Sequence, residues 1–252
     1  MSLEAILRST HLRIARLKAE VPKALTPSLP HDFIACLADR RPAVIAEVKL
    51  ASPSLGPIAP LADPIKVAGE YLEAGAAALS VLTEPDFFKG SIDHLRAIRR
   101  AFPEAAILRK DFILDESQLF ETRHAGADAC LLIVALLEQT RLEYLFGRAV
   151  ELGLTPLVEV HDEKEMERAR ALGAPLIGVN SRNLATLDVD LTICRRLDPA
   201  GAFVIAESGI DSGKAIAELS ELGYRGFLVG SALMKSPGAN LRRLLGEARE
   251  GR

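Results

Sequence analysis

The chain of 252 residues has no tryptophan, and aromatic residues make up only 5% of it. A surface that stacks nucleic-acid bases needs aromatic faces set in a basic field. The field is missing too, because 31 Lys and Arg stand against 34 Asp and Glu for a net charge of -3. No nucleic-acid partner is expected. Cysteine is scarce: Cys36, Cys130 and Cys194 lie far apart and without CxxC spacing. That pattern argues against a disulfide framework and for reduced thiols in the cytoplasm. His11, His31, His94, His124 and His161 have no metal-ligand spacing, so no metal is expected. Long apolar runs are also absent. The longest, over 129–137, is far short of the roughly 20 residues that span a bilayer. Glu4, Arg8, Arg13, Arg16 and Lys18 break up the first twenty residues, which excludes a signal-peptide core there. A cytoplasmic protein with no membrane partner is expected.

What the chain does have is alternation. From Pro42 onward, short apolar runs near 43–48, 77–82, 106–110, 128–133, 155–160, 175–180, 202–207 and 225–230 read as strands. Helical patterns near 64–74, 92–101, 115–125, 138–152, 162–172, 188–197, 212–222 and 238–249 fill the gaps. Asp63-Pro64 supplies a cap with proline at the first helical position, and Asp162 with Glu165 reads as a capping box. Gly75, Gly126, Gly153, Gly173 and Gly223 stand where helices should end. The strands are almost wholly apolar, as when both faces are covered. Eight strand–helix units point to a (β/α)8 barrel, with its site at the C-terminal strand ends. A doubly wound sheet is the rival, but no dinucleotide or phosphate fingerprint follows the first strand. Leu3, Leu7, Ile14 and Leu17 share one helical face, a Pro-rich break covers 21–30, and a short helical stretch covers 31–40. The expected organisation is one barrel domain over 1–252, with 1–41 as an N-terminal helical extension.

Charged or glycine-bearing steps close these runs: Glu47/Lys49, Thr83/Glu84, Lys110/Asp111, Glu159, Asn180/Arg182, Glu207/Ser208 and Gly230/Ser231. Burying charge is costly, so the series reads as an active-site face. Strand parity puts Glu47 and Lys49 inward with Ile45, Lys110 with Leu108, Glu159 with Leu157, and Asn180 and Arg182 with Gly178. Two lysines and two carboxylates then share a partly desolvated pocket, where their pKa values can be driven apart for acid–base work. As single pairs, Glu47–Lys49 and Lys110–Glu159 could equally be structural. Ser208-Gly209 and Gly230-Ser231 follow the last two strands, where barrels usually bind phosphate. The Ser/Pro/Gly-rich stretch over 50–57 reads as a lid. A P-loop is not present, because Gly209 to Lys214 is one residue short and Ala215 stands where a Ser or Thr is needed.

Residues 45–56 (Ile-Ala-Glu-Val-Lys-Leu-Ala-Ser-Pro-Ser-Leu-Gly) resemble the first-strand signature of indole-3-glycerol phosphate synthases. Seven further motifs follow in order, among them Leu108-Arg-Lys-Asp-Phe112, Leu157-Val-Glu-Val-His161, Ala206-Glu-Ser-Gly-Ile210 and Leu228-Val-Gly-Ser231. The resemblance covers essentially the whole chain. It implies ring closure with loss of CO2 and water, from 1-(2-carboxyphenylamino)-1-deoxyribulose 5-phosphate to indole-3-glycerol phosphate, without a cofactor. By resemblance Lys110 is the general acid, Lys49 holds the substrate carboxylate and assists dehydration as an acid, Glu159 stabilises iminium charge and takes part in proton transfer, and Glu47 is a base in dehydration. All six of Lys110, Glu159, Lys49, Glu47, Asn180 and Glu207 are expected to be catalytic. Asn180 and Glu207 position substrate hydroxyls and the amine, and Arg182 contacts the carboxylate region. Ser52, Ser208, Gly209, Gly230 and Ser231 bind substrate, chiefly its phosphate, while Phe87, Phe112 and Leu131 wall the aromatic ring. A monomer is expected, with a weak homodimer as the alternative.

Three positions depart from the family pattern: Leu50 and Leu55 replace lysines, and Ser181 replaces an asparagine. They are expected to weaken the positive rim of the lid. The rivals are weaker. Phosphoribosylanthranilate isomerase chemistry uses a Cys/Asp pair, and no cysteine ends a strand in the matching way. A silent phosphate-binding barrel would be expected to have lost one of Glu47, Lys49, Lys110 and Glu159.

Overall fold

A computed structural model describes residues 2–20, 30–49, 51–52, 56–57 and 63–250. Eight parallel strands close into a barrel: β1 (Ala43–Val48), β2 (Ala78–Leu82), β3 (Ile107–Lys110), β4 (Ala129–Ile133), β5 (Thr155–Val160), β6 (Leu176–Asn180), β7 (Phe203–Glu207) and β8 (Gly226–Val229). Each pairs with its sequence neighbours, and β1 closes on β8 with Ala43 opposite Gly226. Helices return the chain between strands: α3 (Pro64–Glu73), α4 (Ile92–Ala101), α5 (Glu116–Ala125), α6 (Gln139–Glu151), α7 (Glu163–Ala171), α8 (Thr192–Arg196), α9 (Gly213–Glu221) and α10 (Pro237–Glu250). Two more, α1 (Leu3–Glu20) and α2 (Phe33–Ala38), precede the barrel.

Parity divides the apolar residues into two cores. Ile45, Leu108, Leu131, Leu157 and Ile205 fill the barrel interior. Val44, Ala46, Cys130, Val158 and Val204 face the helices. The local signals explain the turns. Asp63 accepts a hydrogen bond from the Ile65 N–H, with Pro64 opening the helix. Asp162 accepts from the Glu165 N–H, but the Glu165 side chain goes to His161, so only half a capping box forms there. The complete box is Asp115 with Gln118. Gly126 ends α5 at φ +89, in the left-handed region open to glycine.

Helix α1 seats on Ile6, Thr10 and Ile14, which are buried, while Leu7 and Leu17 lie half-buried at its flanks. The Arg13 guanidinium locks it down with bonds of 3.0 and 2.9 Å to Asp111 at the end of β3. At the opposite end of the barrel, α2 drops Phe33 and Leu37, both fully buried, into the interior core as a floor. Residues 51–52 and 56–57 form a small antiparallel ribbon within the stretch read as a lid. The rest of that stretch, including Leu50 and Leu55, and the Pro-rich 21–29 lie outside the described residues. No helix among the described residues is long and apolar enough to cross a membrane.

Candidate active site

Strand ends bring the predicted acid–base residues together around a cavity of about 480 Å³ at the C-terminal mouth of the barrel, within the usual size range of small-molecule sites. Glu47, Lys49, Lys110, Glu159, Asn180, Arg182 and Glu207 all line it. Lys49 Nζ lies 2.5 Å from Glu47 Oε1. Lys110 Nζ is held between two carboxylates, 2.8 Å from Glu159 Oε2 and 2.5 Å from Glu207 Oε2. Glu207, expected among the catalytic residues as a group that positions substrate, therefore belongs to the charged centre itself. The signal for this is its inward parity with Ile205.

Two glycines make the crowding possible. A Cβ on Gly178 would stand 2.0 Å from Glu207 Oε1, and one on Gly230 would stand 2.4 Å from Glu47 Oε1 and 3.1 Å from Lys49 Nζ. The motif residue Gly230 thus leaves room for the Glu47–Lys49 pair, beside any contact it offers a phosphate. Ser208 and Gly209 follow β7 with φ of +67 and +74, and Ser231 opens a run of turns over 231–235. All four line the same cavity, and their open backbone can present N–H groups to an anion.

Burial opposes ionisation of Glu47, yet Lys49 and Lys110 outweigh it and hold its pKa below the usual carboxylate range. Burial also opposes charge on Lys110, but Glu159, Glu207 and Glu47 outweigh it and drive its pKa up. Lys110 is thus a firmly charged ammonium in the free protein. Glu159 is held low by Lys110 and then His161, against burial. Glu207 goes the other way: burial first, and then the Glu159 charge, lift it to about 7 against the pull of Lys110. Buried ion pairs of this kind are poor sources of stability, and a cluster with opposed pKa shifts is a mark of function.

The apolar wall differs from the expectation in one residue. Phe112 and Leu131 line the cavity, as do Leu82 and Ile133, but the aromatic partner is Phe88. Its ring lies 6.2 Å from that of Phe112. Phe87 does not line the cavity. Its backbone N–H is spent on Glu84, which accepts from Asp86, Phe87 and Phe88 together and so fixes the loop. Consecutive phenylalanines in a loop carry no periodicity from which to choose between them. Leu3 and Ile6 of α1 also reach the cavity, which no motif indicates.

Not every polar strand end serves the site. Asp111, Thr83 and the fully buried Arg109 knit an outer network: Arg109 bonds Thr83, Asp111, Glu121, Thr122 and the Gln118 carbonyl. Arg109 and Arg13 hold Asp111 well below the usual range despite its burial. Ser181 is buried and does not line the cavity, with Oγ 3.2 Å from Cys194 Sγ. Arg182 turns its guanidinium to the Leu187 carbonyl at 2.8 Å. The Ser52 side chain lies outside the described residues. Among the described residues no cluster of His, Cys, Asp and Glu could hold a metal ion.

Fold and site together define a lysine–carboxylate enzyme built on a (β/α)8 barrel. The sequence model of indole-3-glycerol phosphate synthase matches residues 3–244, and the chain belongs to that family. The indole-3-glycerol phosphate synthase of Pelodictyon phaeoclathratiforme is 45% identical over 88% of this chain and 88% of its own length. That of Dehalococcoides mccartyi (strain ATCC BAA-2266 / KCTC 15142 / 195) is 43% identical over 97% of this chain and 100% of its own. Among solved structures, thiamine phosphate pyrophosphorylase from Pyrococcus furiosus is similar at TM-score 0.62 and 18% identity, covering 84% of this chain and 97% of its own. That likeness shows the fold alone.

Proposed function

We propose that this pocket closes the indole ring of 1-(2-carboxyphenylamino)-1-deoxyribulose 5-phosphate, with release of CO2 and water, by lysine and glutamate acid–base chemistry. The observation that carries the reading is Lys110 held between Glu159 and Glu207 at the mouth that also holds Lys49–Glu47. As the ring carbon that bears the carboxylate attacks the ketone carbon, the ketone oxygen gains charge, and Lys110 delivers a proton to it. The nitrogen then carries iminium charge, which the ionised Glu159 stabilises. Breaking the bond to the carboxylate returns its electron pair to the ring and frees CO2. The new hydroxyl takes a second proton from the lysines at the mouth and leaves as water, while Glu47 removes a proton from the neighbouring carbon, which completes the indole.

Binding follows from the same residues. Lys49 exchanges Glu47 for the substrate carboxylate, with Arg182 beside it, and Phe88, Phe112 and Leu131 enclose the aromatic ring. Asn180 positions the sugar hydroxyls. The turns at Ser208-Gly209 and Gly230-Ser231, with Ser52 from the ribbon, take the phosphate. Apolar walls favour departure of a carboxylate as neutral CO2, since its charge is poorly solvated there. All of the named groups come from one chain, which supports action as a monomer, and three free cysteines suit the cytoplasm.

The test is fluorescence detection of indole-3-glycerol phosphate from that substrate, with EDTA present. Lys110→Met is expected to lower kcat by about 10²–10⁴ while the substrate still binds. A silent phosphate-binding barrel would bind substrate without turnover, and a Lys110→Met protein of near-normal rate would remove that lysine from the chemistry.

A further inference from the structure

His161 stands just past β5, two residues beyond Glu159 and on the same inward parity, yet it forms no part of the cavity wall. Its ring is held from the helix side. Glu165 of α7 lies 3.1 Å from Nδ1 and also accepts the His161 backbone N–H at 2.8 Å. That grip turns Nε2 toward Glu159 Oε1, 3.4 Å away. Nε2 has no other hydrogen-bond partner, so the charge contact it makes is with Glu159 alone. One imidazole thus sits between two carboxylates. They outweigh the opposition of burial and push its pKa up to about 10.

The two carboxylates on Lys110 therefore differ in what lies behind them. Glu159 has Lys110 at Oε2 and the His161 ring beyond Oε1. Glu207 has Lys110 at Oε2, while its Oε1 is buried without a partner, against Gly178. Of the other groups nearby, the Cys194 thiol is pushed up by burial and also by the Glu207 charge, so it stays neutral. Glu47 of β1 acts on Lys110, Asn180 of β6 is neutral, and β4 presents the apolar Leu131 and Ile133. Arg168 of α7 is turned to the carbonyls of Val134 and Leu137.

We propose that His161, held as an imidazolium by Glu165, is a positioning residue that keeps Glu159 ionised and makes Glu207 the carboxyl that carries the exchangeable proton beside Lys110. The pKa of about 7 at Glu207 agrees with this geometry. The inference rests on the synthase reading and extends it. Ring closure followed by dehydration consumes two protons, one at the ketone oxygen and one on the departing hydroxyl, and releases one from carbon. Once Lys110 has given up the first, its neutral amine lies 2.5 Å from Glu207 Oε2. The Glu207 carboxyl can pass its proton to Nζ, leaving a carboxylate that is reloaded from solvent. A cation fixed on the Glu159 side stops Glu159 from holding that proton instead.

The experiment is the pH dependence of kcat/KM for wild type and for His161→Gln, which removes the charge and keeps a polar side chain. If the relay needs Glu207 protonated, activity of the wild type falls as pH rises through the pair's apparent value near 7. Taking a cation away from two coupled carboxylates makes them harder to ionise, so this limb should move up by about one unit in the variant, with a lower plateau. A reduced rate with the limb unmoved would mean a structural role only and would overturn the proposal. Absence of turnover in the wild type would instead count against the synthase reading. Imidazole ¹⁵N NMR of the wild type decides the charge independently of turnover or of the variant's folding. One of the five histidines should stay doubly protonated to about pH 9, whereas five rings neutral by about pH 8 would overturn the proposal.

Discussion

Glu207 shows how far single residues could be read. Its acidic side chain at a strand end was visible, but its contact with Lys110 depends on a glycine one strand away, since any Cβ at Gly178 would occupy its place. The same holds for His161, whose position after Glu159 was plain while its capture by Glu165 required a capping box left half-formed. A buried carboxyl lifted from 4.5 to about 7 has a thermodynamic signature. The folded state binds its proton more tightly than the unfolded state, so stability declines as pH rises from about 4.5 to about 7. Glu207→Gln stays neutral and escapes that decline. Relative to wild type the variant should therefore gain about 2–3 kcal/mol on going from pH 5 to pH 8, measured by denaturant unfolding at both. A constant difference would show that Glu207 titrates at an ordinary value. The variant should also lose turnover, since stability and a strained charge centre oppose one another.

At the scale of elements, alternation of strand and helix was legible because both periodicities are strong, and glycine and Asp-Pro punctuation marked the ends. What parity alone could not tell was which polar strand ends look outward. Lys110 ends β3 and Asp111 stands just beyond it, where strand parity no longer applies. Lys110 meets the catalytic carboxylates, while Asp111 borders the same cavity and spends its side chain on anchoring α1 through Arg13. This ties the helix that supplies Leu3 and Ile6 to the strand that supplies Lys110. Arg13→Ala should loosen α1 and withdraw part of the apolar wall without touching an acid or base. The expected result is a rise in KM of about tenfold with kcat largely kept, the pattern of lost uniform binding. Unchanged steady-state constants would separate α1 from the site. The burial of α1 was only partly legible, because the seat runs through Thr10, a polar residue that an apolar stripe omits.

Across the whole molecule the barrel divides its work between two ends. The C-terminal mouth gathers buried charge that a fold chosen for stability would avoid. The opposite end is closed by Phe33 and Leu37 from α2, which join Ala43, Ala78, Ala106 and Phe203 in a buried apolar layer. That floor escaped the sequence reading because it comes from outside the repeating units, from a six-residue helix with no barrel periodicity of its own. The division makes a sharp prediction. Phe33→Ala leaves a cavity under the barrel and should cost about 3–5 kcal/mol, read as a lower denaturant midpoint at unchanged slope. Because the strands between floor and mouth are a closed, hydrogen-bonded cylinder, kcat below the melting range should stay within about twofold of wild type. Glu207→Gln should do the reverse, losing turnover while gaining stability at high pH. If Phe33→Ala instead lowered kcat as strongly as the charge variants, floor and mouth would form one cooperative unit. Stability and catalysis would then no longer be separable along the barrel axis.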